Sequence, residues 1–146
     1  MAVIPVRIQK SIISNCIDIE VPFFDVDAME ITWHGNYIKY FEISRCALLE
    51  KIQYDYAQMK ESGYGWPVID LRVKYVRPSR FKQIITVQSD LIEFENRLKI
   101  NYIIKDKKSG EKLTTGYSTQ VAIDLKTKEM CFVSPKILLD KMKEYV

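Results

Sequence analysis

The sequence predicts an α+β chain: one antiparallel sheet with one main helix packed against it. Three observations carry this prediction. Apolar and polar residues alternate with a period of two along residues 16–23. A single long stretch from Ile38 to Ile52 repeats instead at helical spacing. After it come four or five strand-like runs in a row, parted by short turns. That order of elements belongs to the α+β class.

Each element has its own warrant. In 16–23, Ile17, Ile19, Val21 and Phe23 alternate with Asp18, Glu20 and Pro22, and the proline marks a strand end or a sheet edge. Residues 25–36, DVDAMEITWHGN, read as an ordered loop. In the helix that follows, Ile38, Phe41, Leu48, Leu49 and Ile52 share one face, and Gly35-Asn36 offers the N-cap. Tyr54-Asp55 is a break, with Asp55 capping a short second helix that stops at Gly63. Residues 66–77 alternate through Ile69, Leu71, Val73 and Tyr75. Runs 83–94 and 98–106 are apolar and β-branched, joined by a turn at Glu95-Asn96, and Lys107-Lys108-Ser109-Gly110 forms the next turn. Residues 112–124 alternate through Leu113, Thr115, Tyr117, Thr119, Val121 and Ile123. A short strand is expected at 129–133, then a C-terminal helix with Ser134 as N-cap and Pro135 at its first position. A strongly curved sheet wrapping the long helix would bury both. The edge strands and uncovered face of such a sheet predict dimerisation.

Composition bounds the function. The 146 residues fit a single domain, 1–146, large enough for a sizeable core. Hydrophobic residues make up 47% and charged residues 28%, as in an ordinary globular chain. The net charge of +3 is too mild for a nucleic-acid-binding face and compatible with a small polyanionic ligand. No apolar run is long enough for a membrane span, and the N-terminus lacks the pattern of a secretory signal, so a cytoplasmic location is expected. Cys16, Cys46 and Cys131 are far apart and form no CxxC, which argues against a disulfide scaffold or a structural zinc site. The lone histidine, His34, excludes His-rich metal sites and any two-histidine mechanism within one chain.

Segment 24–45, FDVDAMEITWHGNYIKYFEISR, concentrates the chemistry. Two acids two residues apart precede a Trp-His-Gly-Asn-Tyr run where a loop enters a helix. A helix N-terminus gathers unpaired N–H groups and partial positive charge, so it can polarise a carbonyl or hold an oxyanion. A nearby carboxylate can activate water or attack directly. Together these suffice to hydrolyse an activated acyl compound.

The pattern D-x-D-A…W-H-G-N-Y…Y-F-E…R resembles the opening motif of the hotdog-fold acyl-CoA thioesterases of the 4-hydroxybenzoyl-CoA thioesterase family. Tyr75-Val76-Arg77-Pro78-Ser79-Arg80 resembles that family's second signature, and the likeness spans roughly residues 14–125. The resemblance implies a hotdog fold, in which a curved antiparallel sheet wraps one long central helix. It implies Asp27 as the catalytic carboxylate. It implies His34 as the residue whose backbone N–H meets the thioester carbonyl, with a catalytic or orienting role for its ring. Asp25 would support the loop on the substrate side, and Tyr37 and Glu42 would shape or buttress the site. Tyr64 and Trp66 would line an acyl pocket. The substrate would be an acyl-CoA or an acyl carrier protein, bound between subunits of a homodimer that pairs into a homotetramer. No metal or organic cofactor is implied.

The chain departs from the family at two points. Relatives often have glycine where Glu30 stands, and Gly-Asp where Lys82-Gln83 stands. Either Arg77, Arg80 and Lys82 or the run Lys105, Lys107 and Lys108 offers charge for the phosphates of coenzyme A. Cys46, twelve residues past His34 on the helix, reads as a buried thiol rather than a nucleophile. Two other functions suit the same scaffold: a dehydratase of 3-hydroxyacyl thioesters, and a non-catalytic acyl-CoA-binding module.

Overall fold

The computed structural model describes residues 10–146. The N-terminal stretch weighed as a secretory signal falls largely outside them. Strand β1 (Ile13–Glu20) starts three residues before the expected run and stops short of Pro22. The proline has no N–H to give to a ladder, and the chain leaves the sheet in a 3-10 turn at Phe23–Asp25.

Helix α1 (Asn36–Lys51) follows, then the short α2 (Tyr56–Glu61). Asp55 caps α2 as expected, in a reciprocal capping box with Gln58, and Gly63 at φ +92° ends it. The remaining strands are β2 (Tyr64–Gly65), β3 (Val68–Tyr75), β4 (Ile84–Glu93), β5 (Leu98–Asp106), β6 (Lys112–Gln120) and β7 (Ile123–Asp124), before helix α3 (Lys136–Met142).

The five-stranded sheet runs β1-β4-β5-β6-β3, antiparallel throughout. The stretch containing α1 therefore connects one edge of the sheet to the other and lies across one face. Ile85, Val87 and Leu91 of β4 and Leu98, Ile100, Tyr102 and Ile104 of β5 turn toward it at period two. Tyr37, Tyr40, Phe41, Leu48 and Leu49 of the helix meet them, and Phe41 stacks on Tyr102 with centroids 4.4 Å apart. Each large apolar side chain buried this way contributes about 1.5–3 kcal/mol. This is the hotdog fold.

Four expectations need correction. Ile38 is 42% exposed, because Tyr37 and Tyr40 take the core-facing stripe and their hydroxyls find polar partners. The run 112–124 is two strands: the chain leaves the main sheet after Gln120, and β7 pairs instead with β2. The strand expected at 129–133 shrinks to one bridge between Ile123 and Met130. Ser134 does not cap α3. Pro135 holds the cap position, and the Ser134 hydroxyl donates to the Phe94 carbonyl, tying the C-terminal helix to the β4–β5 connection.

Strand β3 is an edge strand whose side chains are exposed along almost its full length, Ile69 and Leu71 among them.

Candidate active site

The loop between β1 and α1 is built on hydrogen bonds from its own backbone. Val26 bridges Thr32, and the chain reverses between them: Asp27 N–H donates to the Ile31 carbonyl (2.9 Å) and Glu30 N–H to the Asp27 carbonyl (2.9 Å). One Asp27 carboxylate oxygen accepts from Met29 N–H at 2.8 Å; the other accepts no bond among the described residues. Glu30 takes φ +65°, the left-handed conformation that glycine enters without steric cost. The departure from glycine thus leaves the backbone path intact and places a side chain in a conformation that disfavours it.

Asp25 sits differently. It is 2% exposed, and its carboxylate accepts from Lys39 Nζ at 2.5 Å and the Tyr40 hydroxyl at 2.6 Å. Its carbonyl accepts from Trp33 N–H (2.9 Å) and Asn36 Nδ2 (2.8 Å). Asn36, expected to help cap α1, therefore reaches back to the loop, and Gly35 holds the cap position without a side-chain bond. Asp25 is the knot between loop and helix. Burial foremost, then the Asp25 carboxylate, pushes the Tyr40 phenol far above its usual range, so it remains a neutral donor.

His34 stands in the turn that enters α1. Asn36 N–H donates to the Trp33 carbonyl at 2.9 Å. Because the peptide is planar and trans, the His34 N–H on the same peptide faces the opposite way. It has no acceptor among the described residues. The Tyr75 hydroxyl donates to the His34 carbonyl at 2.9 Å. The exposed imidazole lies beside the Trp33 ring, centroids 5.0 Å apart. Trp33 folds over Gly35 so closely that a Cβ there would come within 2.1 Å of the indole.

His34 and Tyr37 from the first motif line a cleft of about 290 Å³ with Tyr75, Arg77 and Pro78 from the second. The sequence gives no distance between these motifs; β3 crossing to the sheet edge brings them together. Ser79 holds the junction and was not singled out from the sequence. Fully buried, its hydroxyl lies 2.6 Å from Thr32 Oγ1 and 3.0 Å from the Tyr37 hydroxyl, and its carbonyl accepts from Thr32 N–H. The only signal for it was a small hydroxyl residue directly after the motif proline.

The remaining candidates divide. Arg77 reaches the cleft and pairs with Glu111 at 2.6 Å. Arg80 lines neighbouring grooves instead. Asp27 does not line the cleft, although its N–H bonds the carbonyl of Ile31, which does. Glu42 lies on the exposed face of α1, away from the cleft lining. Trp66 is a core residue whose indole donates to the Tyr54 hydroxyl at 3.3 Å, and Tyr64 belongs to the small β2–β7 sheet. Neither lines the cleft of this chain. Cys46 is half-buried, and burial pushes its thiol up, away from thiolate chemistry. Among the described residues, no three His, Cys, Asp or Glu side chains gather as a metal site would require, and no helix is long and apolar enough to cross a membrane.

Comparison with known proteins fits this geometry. The chain is 32% identical over 85 residues to Bacillus subtilis YneP, whose name gives a provisional acyl-CoA thioesterase assignment; the match covers 58% of this chain and 61% of that protein. The fold matches the DHNA-CoA thioesterase of Staphylococcus aureus with a TM-score of 0.75 and 28% identity, over 82% of this chain and 80% of that one. It matches the 1,4-dihydroxy-2-naphthoyl-CoA thioesterase of Synechocystis with a TM-score of 0.80 and 13% identity, over 90% of this chain and 96% of that one. The sequence profile of the thioesterase-like superfamily matches residues 21–140, which is most of the chain: the protein belongs to that superfamily.

Proposed function

We propose that the protein is an acyl-CoA thioesterase that hydrolyses its substrate to free acid and thiol at the entrance of α1. One observation carries the reading: the unclaimed His34 N–H, at the N-terminus of a 16-residue helix, beside a cleft that unites both motifs. A thioester carbonyl placed against that N–H is polarised by it and by the helix dipole, and both strengthen as the oxygen becomes an oxyanion. Asp27 acts as base or nucleophile. As base it takes a proton from water, whose oxygen attacks the carbonyl carbon; the C–S bond then breaks and the departing thiolate is protonated.

Asp27 is not among the residues that line the cleft of its own chain, and a second copy completes the site. Strand β3 supplies the means, with unpaired backbone groups along an edge that also exposes Ile69, Leu71 and Tyr75. Pairing β3 with its copy in a homodimer sets one subunit's Asp27 loop against the other's cleft, and dimers pair further into a tetramer. Three free cysteines fit a reducing compartment, the cytoplasm.

The test is thiol release across a thioester panel led by aromatic acyl-CoAs, the class in the relatives' names, for wild type beside Asp27→Asn. Release that collapses in the variant is expected. Near-normal release by Asp27→Asn would remove Asp27 from the mechanism. No release from any acyl-CoA or acyl carrier protein would leave the dehydratase, which frees no thiol, and the non-catalytic binding module.

A further inference from the structure

Helix α1 leaves the inner side of the edge strand uncovered. Directly opposed residues of an antiparallel pair share a face. Leu71 of β3 opposes Ser118, Val73 opposes Gly116 and Tyr75 opposes Thr114. Ser118 bonds the hydroxyl of Tyr102, on which Phe41 stacks, and a Cβ on Gly116 would come within 2.7 Å of the Phe41 ring. Leu71, Val73 and Tyr75 therefore point to the helix side of the sheet, yet Leu71 and Tyr75 are exposed. On α1, Ile38 is exposed as well and stands two turns before Arg45 on the same stripe. Between α1 and β3 runs an apolar trench that begins at the His34 cleft, where Tyr75 meets the His34 carbonyl.

The far end of the trench holds a buried cation without a counter-charge. Arg45 is 6% exposed, and no carboxylate pairs with it among the described residues. Its Nε donates to the Tyr56 hydroxyl at 2.8 Å and its Nη1 to the Tyr102 hydroxyl at 3.4 Å. The Tyr102 oxygen lies 2.6 Å from Ser118 Oγ, so the cluster sits where Leu71 ends the apolar run. Tyr56 Oη also accepts from Gln120 Nε2 at 3.3 Å, and its own proton has no acceptor among the described residues. Gln120 Oε1 is buried without a partner, so the cluster's hydrogen bonding is incomplete. Buried charges are ordinarily paired, because an isolated one forfeits its hydration. A guanidinium has five N–H donors, and its planar fork matches a carboxylate in two parallel bonds.

Two rulers give the trench its length. From Tyr75 back to Leu71 the strand advances roughly 13 Å, at about 3.3 Å per residue. From His34 to Arg45 the turn and helix advance roughly 16 Å, at about 1.5 Å per residue. A zigzag chain of carbon–carbon bonds of about 1.5 Å covers that span, less a hydrogen bond at each end, in roughly eight to twelve carbons.

We propose that Arg45 receives a carboxylate at the far end of the substrate's acyl chain, so that the preferred substrates are ω-carboxyacyl thioesters of medium length. The inference rests on the thioesterase reading, which sets the direction. The thioester carbonyl lies against the His34 N–H, the methylenes follow Ile38, Val73 and Leu71, and the terminal carboxylate meets the unused Arg45 N–H groups and the free Tyr56 proton. The full charge on Arg45 favours this carboxylate over a hydroxyl or methyl terminus. The second copy proposed along β3 would roof the trench.

The first test needs no variant: wild-type kcat/KM for decanoyl-CoA, 10-hydroxydecanoyl-CoA and decanedioyl-CoA (the monothioester of the diacid), repeated with six-carbon chains. The decanedioyl thioester is expected to lead both others about tenfold, and the six-carbon diacid thioester to lose that lead. Arg45→Met replaces a buried charge by an apolar chain of similar length and is expected to erase the lead. Tyr56→Phe, at an exposed ring, leaves the fold at little risk and is expected to cut the lead about threefold. A wild type that prefers the methyl terminus, or treats hydroxyl and carboxylate alike, would overturn the proposal and leave the thioesterase reading standing. So would a folded Arg45→Met that slows all three thioesters equally. If the wild type hydrolyses no thioester, calorimetric binding of decanedioyl-CoA beside decanoyl-CoA decides. Tighter binding of the diacid thioester that Arg45→Met abolishes keeps the carboxylate site while the thioesterase reading falls, and equal binding overturns both.

Discussion

The Tyr75 hydroxyl donates to the His34 carbonyl across 2.9 Å, fastening the last residue of β3 to the turn that opens α1. The bond joins the edge strand to the peptide beside the unclaimed His34 N–H. Tyr75→Phe keeps the ring and deletes the donor. Stability is expected to fall by about 1 kcal/mol, the usual net worth of one hydrogen bond. If the bond positions the oxyanion donor, kcat falls several-fold with little change in KM. A thermal melt and steady-state kinetics check both, and a wild-type kcat would reduce Tyr75 to a packing residue.

The two acids of the D-x-D motif are expected to respond oppositely to amide substitution. Asp25→Asn removes the charge that Lys39 and Tyr40 share in a buried setting, and about 2 kcal/mol of stability should go with it. Asp27→Asn keeps an oxygen for the Met29 N–H, so stability should change by under about 0.5 kcal/mol while activity collapses. Denaturant titrations of both variants beside activity separate the anchor from the proposed catalyst. Equal destabilisation of the two would contradict the division.

Glu30 occupies φ +65°. Glu30→Gly should be neutral or stabilising by up to about 1 kcal/mol, since relief of the left-handed conformation outweighs the extra freedom glycine has when unfolded. Glu30→Val should be destabilising by more than that, because a β-branched side chain fits this region worst. Chemical denaturation curves of the pair give the comparison, and a valine variant as stable as the glycine variant would show that the turn has changed conformation.

Acid sensitivity has an identifiable source at the strand ends. Asp18 titrates below its ordinary value of 3.8, chiefly through its bond from Lys107, then through Thr86. Asp106 is lowered as well, chiefly by Gln83 and then by Ser109. A depressed carboxylate contributes stability that is complete above its unfolded pKa and lost as pH falls through its folded one. Melting temperature should therefore hold down to about pH 4 and drop below it. Asp18→Asn and Asp106→Asn should each flatten that drop, and parallel wild-type and variant profiles would place the acid response elsewhere.

Much of this architecture was legible because periodicity reports which face is buried. Strand β5 was read residue for residue at 98–106, and Asp55 and Gly63 marked the ends of α2. The failures share a cause. The helical spacing left Tyr37 and Tyr40 out of the apolar face, and the tertiary partners Ser79 and Asp25 show that both are buried in the core stripe. Likewise, nothing local tells that Val121 leaves one sheet for another. At the site, the motif marked the loop but could not separate buried Asp25 from half-exposed Asp27. Trp66 looked like pocket lining because an aromatic after a helix suits either role, and its bond to Tyr54 decides for the core.

The strand order also sets how the chain assembles in time. Strands β4, β5 and β6 are sequence neighbours joined by short turns, so their pairing closes only small loops. The two flanking strands depend on distant encounters: Ile13 must find Leu91, and β3 must skip β4 and β5 to reach β6. Local pairing precedes distant pairing when loop closure dominates the barrier. Pulsed hydrogen exchange during refolding should then protect β5 amides ahead of those in β1 and β3. The cleft takes Tyr75 from one of those late strands, so it is among the last parts of the molecule to exist.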